Sequence, residues 1–86
     1  MVPIEIFVLD AVTELPIGEA NITYCISANQ QEEIRFGATD MNGKCIRSLR
    51  SGEYNFKVNK AGYYEMQSIV NTETNGSEVA FKLIFQ

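Results

Sequence analysis

Apolar and polar residues alternate along this chain in short runs with a period of two. Between Glu53 and Lys60 the apolar positions are Tyr54, Phe56 and Val58, and the polar ones are Asn55, Lys57 and Asn59. Such a run is a strand with one face buried. The same pattern predicts strands at Ile4 to Asp10, Ala20 to Ala28, Glu32 to Ala38, Lys44 to Leu49, Glu65 to Asn71 and Glu78 to Phe85. Turn chemistry separates the runs. Asp40, Asn42 and Gly43 supply a side chain that bonds back to the backbone and residues that tolerate positive φ, as a hairpin connection needs; Arg50-Ser51-Gly52 makes the next turn. Pro16 breaks the connection 12–18, Asn29-Gln30-Gln31 reads as a turn, and Asn75-Gly76 lies in the loop 72–77. Short strands joined by short connections predict an all-β sandwich that requires no helix.

Composition narrows the class further. A chain of 86 residues has room for one domain, and at this size about 60 to 65% of the unfolded surface is buried, an adequate but thin core. A hydrophobic content of 45% excludes disorder. The net charge is -4 with scattered Lys and Arg, so nucleic acid and anionic membrane surfaces are poor partners. No apolar run approaches the ~18 residues of a membrane span. Met1-Val2-Pro3 opens almost directly into the first strand, as a domain cut from a longer protein would, so location has to be argued from other features.

The chain has no histidine, which removes the commonest general base and metal ligand and any Ser-His or Cys-His pair. Glu32 and Glu33 are neighbours on a strand, so their carboxylates point to opposite faces and do not converge on one substrate. The expectation is a protein without catalysis, cofactor or metal. Asp40-Met41-Asn42-Gly43 lacks the downstream carboxylates of a calcium loop, because Lys44, Cys45 and Ile46 follow; Asp40 and Asn42 are expected to build the turn. Asn21-Ile22-Thr23 and Asn75-Gly76-Ser77 fit the N-glycosylation pattern.

The order of Leu9-Asp10, Pro16-Ile17-Gly18-Glu19-Ala20, Thr39-Asp40 with Asn42-Gly43, Leu49, Gly52-Glu53-Tyr54 and Lys60-Ala61-Gly62-Tyr63 resembles the carboxypeptidase regulatory-like domain. That family is prealbumin-like, related to transthyretin and to the B repeats of bacterial collagen-binding adhesins. The resemblance runs from about Ile4 to Phe85 and implies a seven-stranded, Ig-like sandwich. It places the fourth, first and seventh strands in one sheet, and the third, second, fifth and sixth in the other. It also implies a non-catalytic structural or protein-interaction module of a larger secreted or cell-surface protein. Enzymes that resemble this fold rely on histidines, and the lysine of the adhesins' isopeptide bond lies in the first strand, where this chain has none. Lys57 and Lys82 fall on outward positions, so no such bond is expected. Alternation turns Cys25 outward with Asn21 and Thr23, while the resemblance makes Cys45 inward and sets the two strands in different sheets. Two free thiols are the expectation, Cys45 in the core and Cys25 exposed, with a Cys25–Cys45 disulfide as the alternative.

The expected core is Ile4, Ile6, Val8, Ile22, Tyr24, Ile26, Ile34, Phe36, Cys45, Leu49, Tyr54, Phe56, Val58, Val79, Phe81 and Leu83. Met66 and Val70 compete with Ile69 for the interior. Arg47 shares the inward parity of Cys45 and Leu49, so its strand must be short or bulged for the guanidinium to escape at an edge. With the implied strand order, the outer face of the larger sheet is polar. That of the smaller sheet carries Phe7, Leu9, Ile46, Ala80 and Ile84, with Glu5, Lys44 and Lys82 at its margins. A contiguous apolar cluster marks a contact, so Phe7, Leu9, Ile46 and Ile84 form the candidate contact face, with an adjoining domain or a second copy as partner. Phe7 and Leu9 match positions that line the intersubunit channel in transthyretin, whose final strand this chain lacks. The alternative is a carbohydrate- or small-ligand-binding accessory domain, with Tyr63 and Tyr64 as an aromatic platform.

Overall fold

A computed structural model describes residues 1–26, 29–73 and 78–86. Its strands are β1 (Val2–Asp10), β2 (Asn21–Ile26), β3 (Asn29–Ala38), β4 (Lys44–Leu49), β5 (Glu53–Asn59), β6 (Met66–Asn71) and β7 (Glu78–Leu83). They form two sheets, ordered β4-β1-β7 and β3-β2-β5-β6. Neighbours run antiparallel except β1 and β7, which are parallel. This is the seven-stranded β-sandwich that the alternation and the turns predict.

The period of two explains the packing. Along β5, Tyr54, Phe56 and Val58 are buried while Asn55, Lys57 and Asn59 are only half so. Across the sandwich, Ile4, Ile6 and Val8 of β1 are fully buried against them, with Phe81 and Leu83 of β7. Tyr24, Phe36, Tyr54 and Phe56 gather on the larger sheet. Tyr24 meets Tyr54 edge to face at 5.5 Å, and Phe36 meets Phe56 likewise at 5.5 Å, an arrangement favoured by the ring quadrupoles. Complete burial of a side chain such as Phe56 stabilises the fold by about 2 to 3 kcal/mol.

Several expectations change in the structure. Asn29 belongs to β3 and pairs with Ile26, so the strand begins where a turn was expected; 27 and 28 lie outside the described residues. Ile26, expected in the core, is 52% exposed because β2 ends there beyond a register shift after Tyr24. Cys25 keeps its outward position but is buried. A small side chain at a sheet centre is covered by its longer neighbours, and the thiol lies 3.9 Å from the carbonyl of Asn55. Both cysteines are free. Ile34, Cys45 and Val79 are only partly buried, though they pack on the core. In β6, Val70 takes the interior and Ile69 is exposed. The final strand stops at Leu83, leaving Ile84 and Phe85 outside it.

Two buried threonines tie the connections down. Thr39 Oγ1 donates to the carbonyl of Ile17 (2.7 Å) and accepts the amide of Ala20 (2.9 Å), and Thr72 Oγ1 accepts the amide of Gly52 (2.9 Å). In the 40–43 turn, Asp40 Oδ1 accepts the amides of Asn42 (2.8 Å) and Lys44 (3.0 Å). Gly43 has φ +71°, and a Cβ there would sit 2.5 Å from the carbonyl oxygen of Val8. Glycine is required on both counts.

The open side between β3 and β4 is closed by contact. A Cβ on Gly37 would lie 2.7 Å from Cys45 Sγ, so the missing side chain lets the two edges approach. Arg47 resolves its inward parity by leaving the interior at this edge: it is exposed, and its Nη1 donates to the backbone carbonyl of Arg35 on β3.

Candidate functional site

The outer face of the β4-β1-β7 sheet is built by the odd positions of β1 and the even positions of β4 and β7. Cross-strand register sets Ile46 beside Glu5, Lys44 beside Phe7, Ala80 beside Phe7 and Lys82 beside Leu9. Phe7 and Leu9 are half-buried, whereas Ile46 and Ile84 are 54% and 52% exposed. Charged groups are interleaved with the apolar ones and largely occupied with each other. Lys44 Nζ lies 2.9 Å from Glu5 Oε1 and 5.9 Å from the centroid of Phe7. The Glu5 carboxylate holds the Lys44 ammonium charged to higher pH than usual, by hydrogen bond and by charge. Lys82 pairs with Glu14 at 3.3 Å. The predicted face is thus a set of aliphatic and aromatic groups laced by ion pairs, with Lys44 covering part of Phe7.

Towards the end of the sheet the apolar surface widens. Phe85, 65% exposed, stands next to Ile84 and meets Tyr63 edge to face at 5.2 Å. The segment 84–86 pairs back on Gly62 to Tyr64: Tyr64 N donates to the carbonyl of Ile84 (2.9 Å), and Gln86 N to that of Gly62 (2.9 Å). Val12 and Leu15, in the connection after β1, are also exposed. That connection lies alongside the β7 end, since Ala11 N donates to the carbonyl of Leu83. Alternation flags none of Phe85, Val12 and Leu15: Val12 and Leu15 lie in a connection, and Phe85, which the expected strand 78–85 puts at an inward parity, lies past the end of β7 at Leu83.

Tyr63 and Tyr64 have separate tasks. The Tyr63 hydroxyl donates to Asp10 Oδ2 at 2.9 Å. Asp10 Oδ1 accepts the amides of Val12 (2.8 Å) and Thr13 (3.0 Å). One carboxylate therefore fixes the start of the 11–16 loop and the tyrosine together. The amides of Thr13 and Val12, then the Tyr63 hydroxyl, hold the Asp10 carboxyl below its ordinary range, and the same bond raises the Tyr63 phenol. Tyr63 is half-buried with its hydroxyl on Asp10, whereas Tyr64 is well exposed, at 55%.

The outer face of the β3-β2-β5-β6 sheet is mostly polar and bonded to itself, with Ile69 of β6 exposed at its edge. Glu33 Oε1 accepts the Thr23 hydroxyl (2.8 Å) and meets Lys57 Nζ at 3.2 Å. Lys57 also faces Glu65 at 4.0 Å, and Gln67 donates to that carboxylate. Lys57 and Lys82 are both engaged with carboxylates on outward positions. The Asp40 carboxylate serves the turn amides. Among the described residues no three His, Cys, Asp or Glu side chains gather where a metal ion could sit. No described helix is long and apolar enough to cross a membrane. The Asn21 sequon opens β2 at an exposed position; that of Asn75 lies outside the described residues.

No protein-family model matches the chain, and neither does any curated protein. Solved structures do. The major pilin subunit BcpA of Bacillus cereus, in a D312A form, superposes with a TM-score of 0.73 at 17% identity, over 96% of this chain and 30% of the pilin. The 3-chlorocatechol 1,2-dioxygenase of Rhodococcus opacus 1CP superposes with a TM-score of 0.60 at 11% identity, over 96% of this chain and 58% of that one. The chain thus spans under a third of the pilin and little over half of the dioxygenase. At these identities the likeness establishes the fold, an Ig-like β-sandwich.

Proposed function

We propose that the chain is a non-catalytic structural or protein-interaction module of a larger secreted or cell-surface protein, of the carboxypeptidase regulatory-like kind. Its outer β4-β1-β7 face would be the contact with an adjoining domain or a second copy. The observation that supports this reading is the exposure of Ile46 on the face that holds Phe7 and Leu9, with Ile84 exposed just past the end of β7, while the opposite face, Ile69 apart, is occupied by its own polar bonds. The absence of histidine supports the non-catalytic reading, and the likeness to a domain-sized part of a pilin is consistent with a structural role. Burying about 300 Å² of apolar area per partner would contribute roughly 7 kcal/mol from each partner before the costs of association.

Replacing Phe7 and Ile84 together with lysine tests the reading. The strand signal in circular dichroism is expected to survive while sedimentation equilibrium shows weaker self-association, or domain docking in the full-length protein loosens. Unfolding of the double variant, or unchanged association and docking, contradicts the proposal. The carbohydrate alternative rests on Tyr64, and specific binding on a glycan array lost in Tyr64→Ala would favour it.

A further inference from the structure

Four strands end the two sheets, and three carry devices that discourage pairing with a new strand. β3 carries Glu32, Glu33 and Arg35 and shifts register twice against β2. β4 carries Lys44 and Arg47, and β7 carries Glu78 and Lys82. Charges and bulges of this kind are how natural edges resist strand addition. β6, Met66-Gln67-Ser68-Ile69-Val70-Asn71, has no charged residue, no proline and no register shift against β5.

Its hydrogen-bonding groups can be assigned from the ladder. Thr72 N donates to the carbonyl of Gly52 at 3.0 Å. With unbroken register, Tyr54↔Val70, Phe56↔Ser68 and Val58↔Met66 are therefore the hydrogen-bonded pairs. The N–H and C=O groups of Gln67 and Ile69 consequently point away from β5, to the open edge. The space beneath that edge is open too. Ser68 shares the inward parity of Met66 and Val70 yet is exposed, and Val79 of β7, an inward position, is only partly buried. An added strand would continue the sheet and lay alternate side chains over this gap.

The flanking charges choose the occupant. Glu65 and Glu73, both exposed, bracket β6. An antiparallel pairing of β6 with its own copy, centred on Ile69, would set Glu65 of each chain opposite Glu73 of the other, and like charges placed so are destabilising. We infer that the β6 edge receives an extended segment of a different protein, with an uncharged, alternately apolar middle and a basic residue at each end, by strand addition.

The probe is the blocked synthetic peptide KVTVTVTVK, whose lysines oppose Glu65 and Glu73 while its central valines oppose Ser68 and Val70 on the inward side, titrated into the isotope-labelled chain while amide exchange is followed residue by residue. Binding is expected to slow exchange at Gln67 and Ile69 specifically. The acid-ended peptide EVTVTVTVE should bind about tenfold or more weakly. Ile69→Pro removes an outward N–H only and should abolish binding with the β5–β6 ladder intact. Should that variant lose its fold, Ile69→Lys, which leaves the backbone unchanged, must still weaken binding. The inference is overturned by no binding at millimolar peptide, by binding that leaves both amides unprotected, or by equal affinity for the two peptides. Dimerisation of the chain alone with those amides protected overturns it as well, since the occupant would then be a second copy.

Discussion

The two outer faces of this sandwich obey one alternation rule and end in opposite chemical states. On the larger sheet the outward polar residues satisfy one another: Glu33 takes both the Thr23 hydroxyl and Lys57, and Gln67 reaches Glu65. Only Ile69 at the β6 edge stands apolar and exposed on that face among the described residues. On the smaller sheet the ion pairs Lys44–Glu5 and Lys82–Glu14 hold only the charged members, leaving Ile46 and Ile84 in water. Alternation decides which residues face out, but their identity decides whether that face is finished. A polar face completes itself by hydrogen bonding, whereas an apolar one is completed only by another surface.

The largest effect comes from breaking what both faces share. Phe56 is fully buried between the sheets, and Phe56→Ala should cost about 3 to 5 kcal/mol, read from urea unfolding. A loss below about 1 kcal/mol would mean that the core is not the common support of the two faces. Next is Gly43→Ala, which places a Cβ against the Val8 carbonyl at positive φ and should cost about 1 to 3 kcal/mol. Amide exchange should rise first in β1 and β4, so the smaller sheet would loosen ahead of the larger; uniform loosening would contradict that local account.

Acid provides a gentler test of the end where the apolar surface widens. The carboxyl of an unfolded aspartate titrates near 3.8, and folded Asp10 lies lower. The stability it contributes is therefore complete above that value and is lost as pH falls through the lower folded one. Asp10→Asn should flatten this acid-side loss in thermal melts, because its amide oxygen can still accept Val12 and Thr13 but carries no titrating charge. An unchanged pH profile would show that the bonds of the Asp10 carboxylate to Thr13, Val12 and Tyr63 carry no stability. The smallest effects separate the faces most cleanly. Lys57→Gln should leave Tm nearly unchanged and self-association untouched. Lys44→Gln should also leave Tm nearly unchanged but uncover Phe7 and so increase association. Equal behaviour of the two variants would erase the distinction.

The strands were legible in the sequence because periodicity is local: β5 needs only its own seven residues to declare its inward face. Arg47 was legible as a conflict, and the edge of β4 resolved it. What escaped depends on distant neighbours. Cys25 is buried by the residues beside it on other strands, Ile26 is exposed because β2 ends there, and the Asp10–Tyr63 bond joins residues 53 positions apart. Of the candidate face, Phe7, Leu9 and Ile46 could be placed by parity, while Ile84 lies past the end of β7. The covering of Phe7 by Lys44 and the contribution of Phe85 could not, since one depends on cross-strand register and the other on a segment outside any strand.

The central claim is that the β4-β1-β7 face is a contact and the opposite face is not. Carbene footprinting read by mass spectrometry tests it directly, comparing the isolated chain at low concentration with the full-length protein or with the chain at high concentration. The account predicts that labelling of Ile46 and Ile84 falls on assembly, while Thr23 and Asn55 on the other face and Met41 in the turn stay as reactive as before. Unchanged labelling of Ile46 and Ile84, or protection confined to the polar face, would contradict it.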